Sequence, residues 1–570
     1  MLRSNQQQPS EYKVVIAYDF GTTYSGAAYA FTHSTPTEVF DIQKWPHKAG
    51  NFFPKVPTLS VYPRQEPASL EQQQQQRRRP KLSEWGHGAK KAMLKPHAAK
   101  QNVLLSHFKL HLDDSLHRPP LENGLTPVQA VADYLAALHQ HTVQELTRGF
   151  AKNYHPDTFR YCLTVPALWS DRAKHMMRQA AIQAGLIAPS DPSDRLVLIS
   201  EPEAAALYCE ETMADQVQLQ DNDRIMVCDA GGGTVDLIVF QVNFSSSPSS
   251  TEEGDGDETT SVRKKRQLKE VTKGMGESCG SVFLDDKYHD LLEAKLGTHV
   301  MSKIQPREMN DLMDQFIDSI KPEFDGIDDH YVTLPRSVEL EDLPASLRDY
   351  DDGSLDEGTI KLSADELKQQ VFDPIIDKVL SLIEHQYQQI PDGQLNYLFL
   401  VGGFGSSNYL YQRIQQVFQD TKVNQIVCPA ERAALAVVRG AAYYGIHPQV
   451  VVSRVSRRTY GINAGLPFDD EIDPPSTRIV RPDGSVRCTS RFLMFVKKND
   501  VLPVDHCIRE QMYVYYGTLK HTDIMLYATE NDTVPRYYDE PGVRHVAAIS
   551  VPIPDMPGVM IGERIAYSVR

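Results

Sequence analysis

Runs of β-branched and aromatic residues alternate with stretches of helical periodicity over most of this chain. Lys13 to Tyr18 (KVVIAY) and Arg224 to Cys228 (RIMVC) predict strands. Val235 to Val242 follows the second run at once and predicts its hairpin partner, and Leu395 to Val401 (LNYLFLV) predicts a third buried strand ending in glycines. Pro127 after Thr126 opens a helix on which Val128, Val131, Leu135 and Leu138 share one face. Further helices are expected from about Ser406 to Phe418 and from about Glu431 to Tyr444. This mixture over residues 12 to 446 predicts an α/β body. After His447-Pro448 the pattern is strand-like only, as in Arg491 to Lys497 and Gln511 to Tyr516, with proline and glycine turns between. A separate β-rich domain is therefore expected over 448–570.

Three polar stretches interrupt the body: Arg64 to Lys81, Phe244 to Arg266, and the acid-rich Pro322 to Gly358. Their low apolar content predicts surface loops, because burial cannot offset the entropy of ordering them. Residues 1–11 are expected to be disordered. The basic triplet Arg77, Arg78 and Arg79 reads as a solvated loop end.

Composition narrows the class. At 570 residues with 41% hydrophobic and 24% charged side chains, the chain is neither collagen-like nor wholly disordered. A net charge of −16 disfavours general attraction to nucleic acid or to an anionic membrane, so neither is expected as a partner. Seven cysteines without a CxxC pair argue against a disulfide framework and a structural zinc site. Met1 to Ser10 lacks the apolar core of a secretory signal. The longest apolar stretch, Ala433 to Ile446, is broken by Arg439 and is short of a membrane span. The expectation is a reduced, soluble, cytoplasmic protein, with the nucleus left open.

The chemistry enters with an approximate repeat. Asp19-Phe20-Gly21-Thr22-Thr23 follows one predicted strand, and Asp229-Ala230-Gly231-Gly232-Gly233-Thr234 follows another 210 residues later. Each sets a carboxylate at a strand end before a tight turn of glycine and threonine. Glycine lets a ligand approach the main chain, and successive amides in such a turn form an anion-binding concavity. Mg²⁺ is commonly held by one or two carboxylates plus substrate phosphates. Two facing turns would clamp a triphosphate, each wall giving one aspartate. A single segment reads equally well as a strand and a tight turn; the pair favours the clamp. A third glycine turn, Gly402-Gly403-Phe404-Gly405, leads into the helix near Ser406, whose N-terminus could face a nucleotide. The sequence contains no GK[ST], so a P-loop is not supported.

At these residues the sequence resembles the actin-like ATPase superfamily, and within it the heat shock protein 70 family. The resemblance is carried, in family order, by AYDFGTTYSG at 17–26, LTVPALW at 163–169, ISEPEAAALY at 199–208, VCDAGGGTVDL at 227–237, LVGGFGSSNYL at 400–410 and PAERAALAVVRGAAYYG at 429–445. CGSVFLDDKY at 279–288 and FDP at 372–374 look like the divergent branch typified by heat shock 70 kDa proteins 12A and 12B.

The resemblance implies a two-lobed actin-like ATPase fold, each lobe on a duplicated ribonuclease-H-like core, followed by the β-rich C-terminal domain. Lobe I would span 12–200, lobe II 201–395, and 396–447 would return to the cleft and lobe I. The tail 448–570 would be a substrate-binding-like domain without a helical lid. ATP or ADP would lie in the cleft, with Asp19 and Asp229 holding hydrated Mg²⁺. Gly21, Thr22, Thr23 and Tyr24 would bind phosphates from one wall, and Gly231, Gly232, Gly233 and Thr234 from the other. Lys109 falls near the family's catalytic lysine. Glu201 matches the glutamate of its EP motif, Asp236 an aspartate near the attacking water, and Pro166 the switch between lobes. Taken alone, Lys109 also reads as a surface lysine, Glu201 as a helix cap and Asp236 as a solvent-facing hairpin residue.

The sequence departs from the family at the adenine. The two arginines that sandwich it there correspond here to Pro322 and Ser406. Lys321, with Asp318, is expected to reach the ribose instead, with Gly402, Gly403 and Phe404 on the other side and Phe404 as the substitute surface. The acidic interdomain linker is replaced by Gln449 to Arg454. The leading reading is a slow ATPase, hydrolysing ATP to ADP and phosphate, and a chaperone-like monomer with protein clients or co-chaperones as partners. The alternative is a nucleotide-dependent scaffold with little turnover. A sugar or acetate kinase shares the duplicated core but lacks the EPEAAA motif and the β tail.

Overall fold

The computed structural model describes residues 12–34, 37–48, 54–65, 79–95, 97–113, 116–149, 155–245, 265–348, 355–356, 358–429, 433–481, 483–504, 506–517 and 520–569. They form two compact units, one drawn from residues up to 242 and from 274–450, the other from 243–273 and from 451 onward. The expected disordered start at 1–11 and most of the expected loops at 64–81 and 244–266 lie outside the described residues.

The first unit is mixed α/β. Strands β1 (Val14–Phe20), β2 (Tyr24–Phe31) and β3 (Val39–Asp41) are followed by helix α1 (Pro127–Gly149), β4 (Phe159–Val165), α2 (Asp171–Gln183), β5 (Leu196–Ser200) and α3 (Glu201–Val217). The same β-β-β-α-β-α-β-α order then recurs. It runs through β6 (Arg224–Ala230), β7 (Val235–Ser245), β8 (Lys265–Glu277), α4 (Asp373–Gln388), β9 (Tyr397–Val401), α5 (Asn408–Phe418), β10 (Gln425–Val427) and α6 (Ala436–Ile446).

Within the first unit, sheet order repeats with the element order: β2-β1-β4-β5 in one sheet, and β7-β6-β9-β10 in the other. In both, the central strand pairs antiparallel with its hairpin partner and parallel with the strand after the first long helix. All seven residues of β1 are buried, as a strand covered on both faces requires.

Capping chemistry sets several boundaries. Thr126 accepts the Gln129 amide at 3.2 Å and Gln129 Oε1 accepts the Thr126 amide at 3.1 Å, so α1 starts where its sequence predicts. The next expected helix begins at Asn408, not Ser406, because Phe404–Ser406 forms a 3₁₀ turn and Ser407 is the cap. The expected start at Glu431 lies outside the described residues; Ala433–Leu435 is a 3₁₀ turn and the α-helix runs from Ala436. Arg439, which broke the longest apolar stretch, pairs with Asp41 on β3, with Nε at 2.9 Å from Oδ1.

The segment 322–358 is a correction: it is not loop throughout. His330–Thr333 pairs with Thr359–Leu362, which also pairs with Leu355–Asp356. Val332, Leu343 and Leu347 are buried between the acids and supply the apolar anchors that the charge count hid.

In the second unit, Val451–Val455, overlapping the segment that replaces the acidic linker, is a strand. It pairs parallel with Leu268 and Lys269 of β8 and antiparallel with Val501–Pro503. A five-stranded sheet places Thr459–Pro467 between Val486–Val496 and His521–Thr529, with Arg478–Val480 and Val543–Pro552 at its edges. Asp473 ties it together, accepting from Arg491, Arg536 and Tyr537. Against the opposing effect of burial, the Asp469 backbone amide at 2.9 Å, with Tyr537, Arg536 and Arg491, holds its carboxyl below the usual range, at about 2. No helix among the described residues is long and apolar enough to cross a membrane.

Helices α3 and α6 cross in close contact. A Cβ on Gly440 would lie 1.6 Å from the Ala204 carbonyl oxygen, so the crossing admits only glycine there. We expect Gly440→Ala to lower stability by about 3 kcal/mol, the upper range for overpacking a tight core. Urea unfolding of the two proteins measures it, and an unchanged midpoint would show that the helices separate freely.

Candidate functional site

The two aspartate turns line one cavity of the first unit. Asp19 and Asp229 occupy equivalent places one residue before the ends of β1 and β6, opposite Gly26 and Asp236 in their hairpins. Between each pair of strands the chain turns through the glycine and threonine segment. The turns interlock: a Cβ on Gly232 would lie 2.3 Å from Thr23 Oγ1, and one on Gly233 2.4 Å from Thr22 Oγ1. Glycine is required at both positions because a threonine of the opposite turn fills the space.

Each turn is braced from behind. Thr58 donates its hydroxyl to the Gly21 carbonyl at 2.8 Å, and its amide donates to the Thr23 carbonyl at 2.8 Å. The carbonyls of Gly233, Gly231 and Gly232 accept the amides of Gly280, Ser281 and Val282 at 3.2, 3.1 and 2.9 Å. That second brace engages three carbonyl oxygens that would otherwise repel an anion.

Lys109 is no surface residue. It sits in the 3₁₀ turn Phe108–Leu112, which is entered through His107 at φ 53°, in the left-handed region. The turn buries Lys109 with only 3% of its side chain exposed, and its ammonium donates to Glu201 Oε1 at 2.5 Å. The rings of Trp169 and Phe20 flank it at 5.5 and 5.9 Å. Glu201 is the first residue of α3, ahead of Pro202, where a carboxylate suits a helix N-terminus. Asp236 does not face solvent: its Oδ1 accepts the amides of Ala167 at 2.6 Å and Leu168 at 3.2 Å, just after Pro166.

Burial and mutual repulsion shift these acids. Burial pushes the Asp229 carboxyl well above the usual range, helped by Glu201, Asp19 and Asp236 and opposed by Lys55. Glu201 is pushed up to about 7, again by burial first, with Lys109 opposing. Burial also raises Asp236, against the hydrogen bonds from Thr234, Leu168 and Ala167.

Of the residues expected in the site, Asp19, Gly21, Thr22, Thr23, Tyr24, Lys109, Glu201, Asp229, Gly231, Gly232, Gly233, Thr234, Gly402 and Gly403 line the cavity, and Asp236 is buried behind it. Lys321 and Phe404 do not line it. The Lys321 ammonium donates to Asp285 Oδ1 at 2.6 Å and to the Ser281 carbonyl at 3.3 Å. Phe404 is buried in the 3₁₀ turn after β9.

Two contributors were not singled out from the sequence, although Thr164 lies within the LTVPALW motif at 163–169. Lys55 donates to Asp19 Oδ2 at 2.7 Å, and Thr164 to Asp19 Oδ1 at 3.1 Å. Burial alone would lower the Lys55 ammonium's pKa, but Asp19, with Asp229 and Glu201, turns the net shift upward. Lys55 reaches the site because Val56–Pro57 pairs with Tyr24 and Ser25, a pairing no local pattern announces.

The raised Glu201 makes stability depend on pH. The folded state retains a proton that the unfolded state releases above about 4.5, so this contribution falls as pH rises toward about 7. Glu201→Gln removes the titration, and the expected result is a shallower loss of Tm across that window than in the wild type. Parallel slopes in thermal melts would contradict the assignment.

No protein-family model matches the chain. It is 26% identical over 639 aligned residues to heat shock 70 kDa protein 12A of Homo sapiens, an alignment that covers 98% of this chain and 88% of that protein. Heat shock 70 kDa protein 12B of Homo sapiens is 26% identical over 620 residues, covering 95% and 84%. Chaperone protein dnaK of Cyanidium caldarium is 34% identical over 100 residues, 18% of this chain and 14% of that protein. With the paired turns in one cavity, these alignments carry the sequence resemblance across almost the whole length: the chain is similar, nearly end to end, to the 12A and 12B branch of the heat shock protein 70 family.

Proposed function

We propose that the first unit is a two-lobed, actin-like ATP-binding module, and that the protein is a slowly ATP-hydrolysing, chaperone-like machine. Nucleotide would control lobe closure and the binding of protein clients or co-chaperones in the cytoplasm. One observation carries the reading: two equivalent strand ends, in two sheets of matching order, present their aspartates and glycine-threonine turns to one cavity.

Phosphoryl hydrolysis is mainly positioning and charge stabilisation. The two turns supply hydroxyl and amide groups for the β- and γ-phosphates. Lys109 would offset charge on the transferred group. Glu201 and Asp236 suit orientation of the attacking water, with Thr234 beside them. The second unit has exposed apolar side chains on an edge strand, Ile479 and Val480, which suit docking of an extended segment.

The donor set fits a phosphate-borne Mg²⁺. Asp19 and Asp229 lie on one cavity, the repulsion at Asp229 favours a cation, and among the described residues no three His, Cys, Asp or Glu converge as a protein cage. When bound with ATP, the ion would neutralise phosphate charge, held by Asp229 and, once Lys55 gives way, by Asp19.

A second reading, a nucleotide-dependent scaffold with little turnover, is favoured by the adenine side. Lys321 is engaged by Asp285 and Phe404 is buried. Two measurements decide. Isothermal titration with Mg-ATP is expected to give one site, and absence of binding at millimolar ATP would defeat both readings. Lys109→Met is expected to slow single-turnover hydrolysis about 10²–10³-fold, the cost of removing one preorganised electrostatic group. A rate unchanged by that substitution would leave the scaffold.

A further inference from the structure

We infer that Lys55 is a tethered cation, holding on Asp19 the place that a divalent metal would otherwise take and offering its ammonium to the phosphates. The phosphate half of this inference rests on the nucleotide reading above; the cation half rests on the geometry of the acids alone.

Both oxygens of Asp19 already have protein partners, Lys55 Nζ at 2.7 Å and Thr164 Oγ1 at 3.1 Å. Lys55 and Asp19 are both largely buried, with side chains 15% and 6% exposed, so the pair is shielded from solvent screening. The lysine is also held in place. Its backbone enters the strand Val56–Pro57, which pairs with β2, and its methylenes run past Gly26, the cross-strand partner of Asp19. A Cβ on Gly26 would lie 3.6 and 3.8 Å from Lys55 Cγ and Cε.

The other ammonium in the cavity is committed elsewhere. Lys109 pairs with Glu201 at 2.5 Å, so it does not compete for Asp19. An ammonium is a compact point charge of the same sign as Mg²⁺, and the two repel at one carboxylate. A metal arriving with ATP must displace Lys55 or rely on Asp229. While Lys55 stays, it lies at the end of β1 beside the first phosphate turn, where an anion would meet it. Metal dependence of nucleotide affinity is therefore weakened by a residue of the chain itself.

The test separates the two halves. Mn²⁺ titration followed by electron paramagnetic resonance, without nucleotide, reads the cation site directly. Lys55→Gln is expected to gain one Mn²⁺ site at least about tenfold tighter than the wild type. The gain should be lost in the Lys55→Gln, Asp19→Asn double variant, and Lys55→Arg should behave as wild type. Equal Mn²⁺ binding by wild type and Lys55→Gln, or none by either, overturns the inference. Calorimetric titration of the wild type with ADP, in Mg²⁺ and in EDTA, needs no variant to fold. Affinities within about tenfold support a tethered cation, and any larger loss in EDTA overturns it. Absence of ADP binding in both buffers defeats the nucleotide reading, and the Mn²⁺ result then still decides the place of Lys55.

Discussion

Buried negative charge is the constraint on which the cleft depends. Asp19, Glu201, Asp229 and Asp236 all interact within one neighbourhood and are all withdrawn from water. A charge out of water is unfavourable unless it is paired or hydrogen-bonded. The structure answers this differently at each acid. Lys55 and Thr164 hold Asp19, Lys109 holds Glu201, and two backbone amides hold Asp236. Asp229 is left with the strongest reason to attract a cation or keep a proton. The cavity is thus polarised toward the second turn, although the two turns descend from equivalent strand ends.

The backbone of this arrangement was legible in the chain. β1, β6 and β9 are dense apolar runs, and the carboxylate at the end of the first two marks where each leaves the sheet. The full extent of the duplication came only through the family resemblance, because helix order and parallel pairing leave no local sequence pattern. Contacts far apart in sequence explain the remaining differences. Lys321 looks free until Asp285, on the helix Val282–Leu296, is seen to capture it. Phe404 looks like a cleft residue until the 3₁₀ turn after β9 folds it inward. Lys55 is an isolated lysine between prolines and valine, and only strand pairing delivers it to Asp19. The acids of 322–358 outweigh its apolar residues in any average, yet a few well-placed ones suffice to hold a small sheet.

Small residues act at a second level. Ala204 and Gly440 let α3 and α6 approach closely, and α3 carries Glu201 at its first turn. The position of a catalytic candidate is thereby fixed by packing some distance from the cavity. Asp236 makes a similar connection in the other direction. Its bond to Ala167 joins a strand of one sheet to the segment that leaves a strand of the other.

The interlocked turns have a kinetic consequence. Thr22 and Thr23 lie so close to Gly233 and Gly232 that not even a methyl group would fit between the turns there. On the proposed nucleotide reading, an anion would enter between them only after they part, and its on-rate would level off at high ligand concentration instead of climbing without limit.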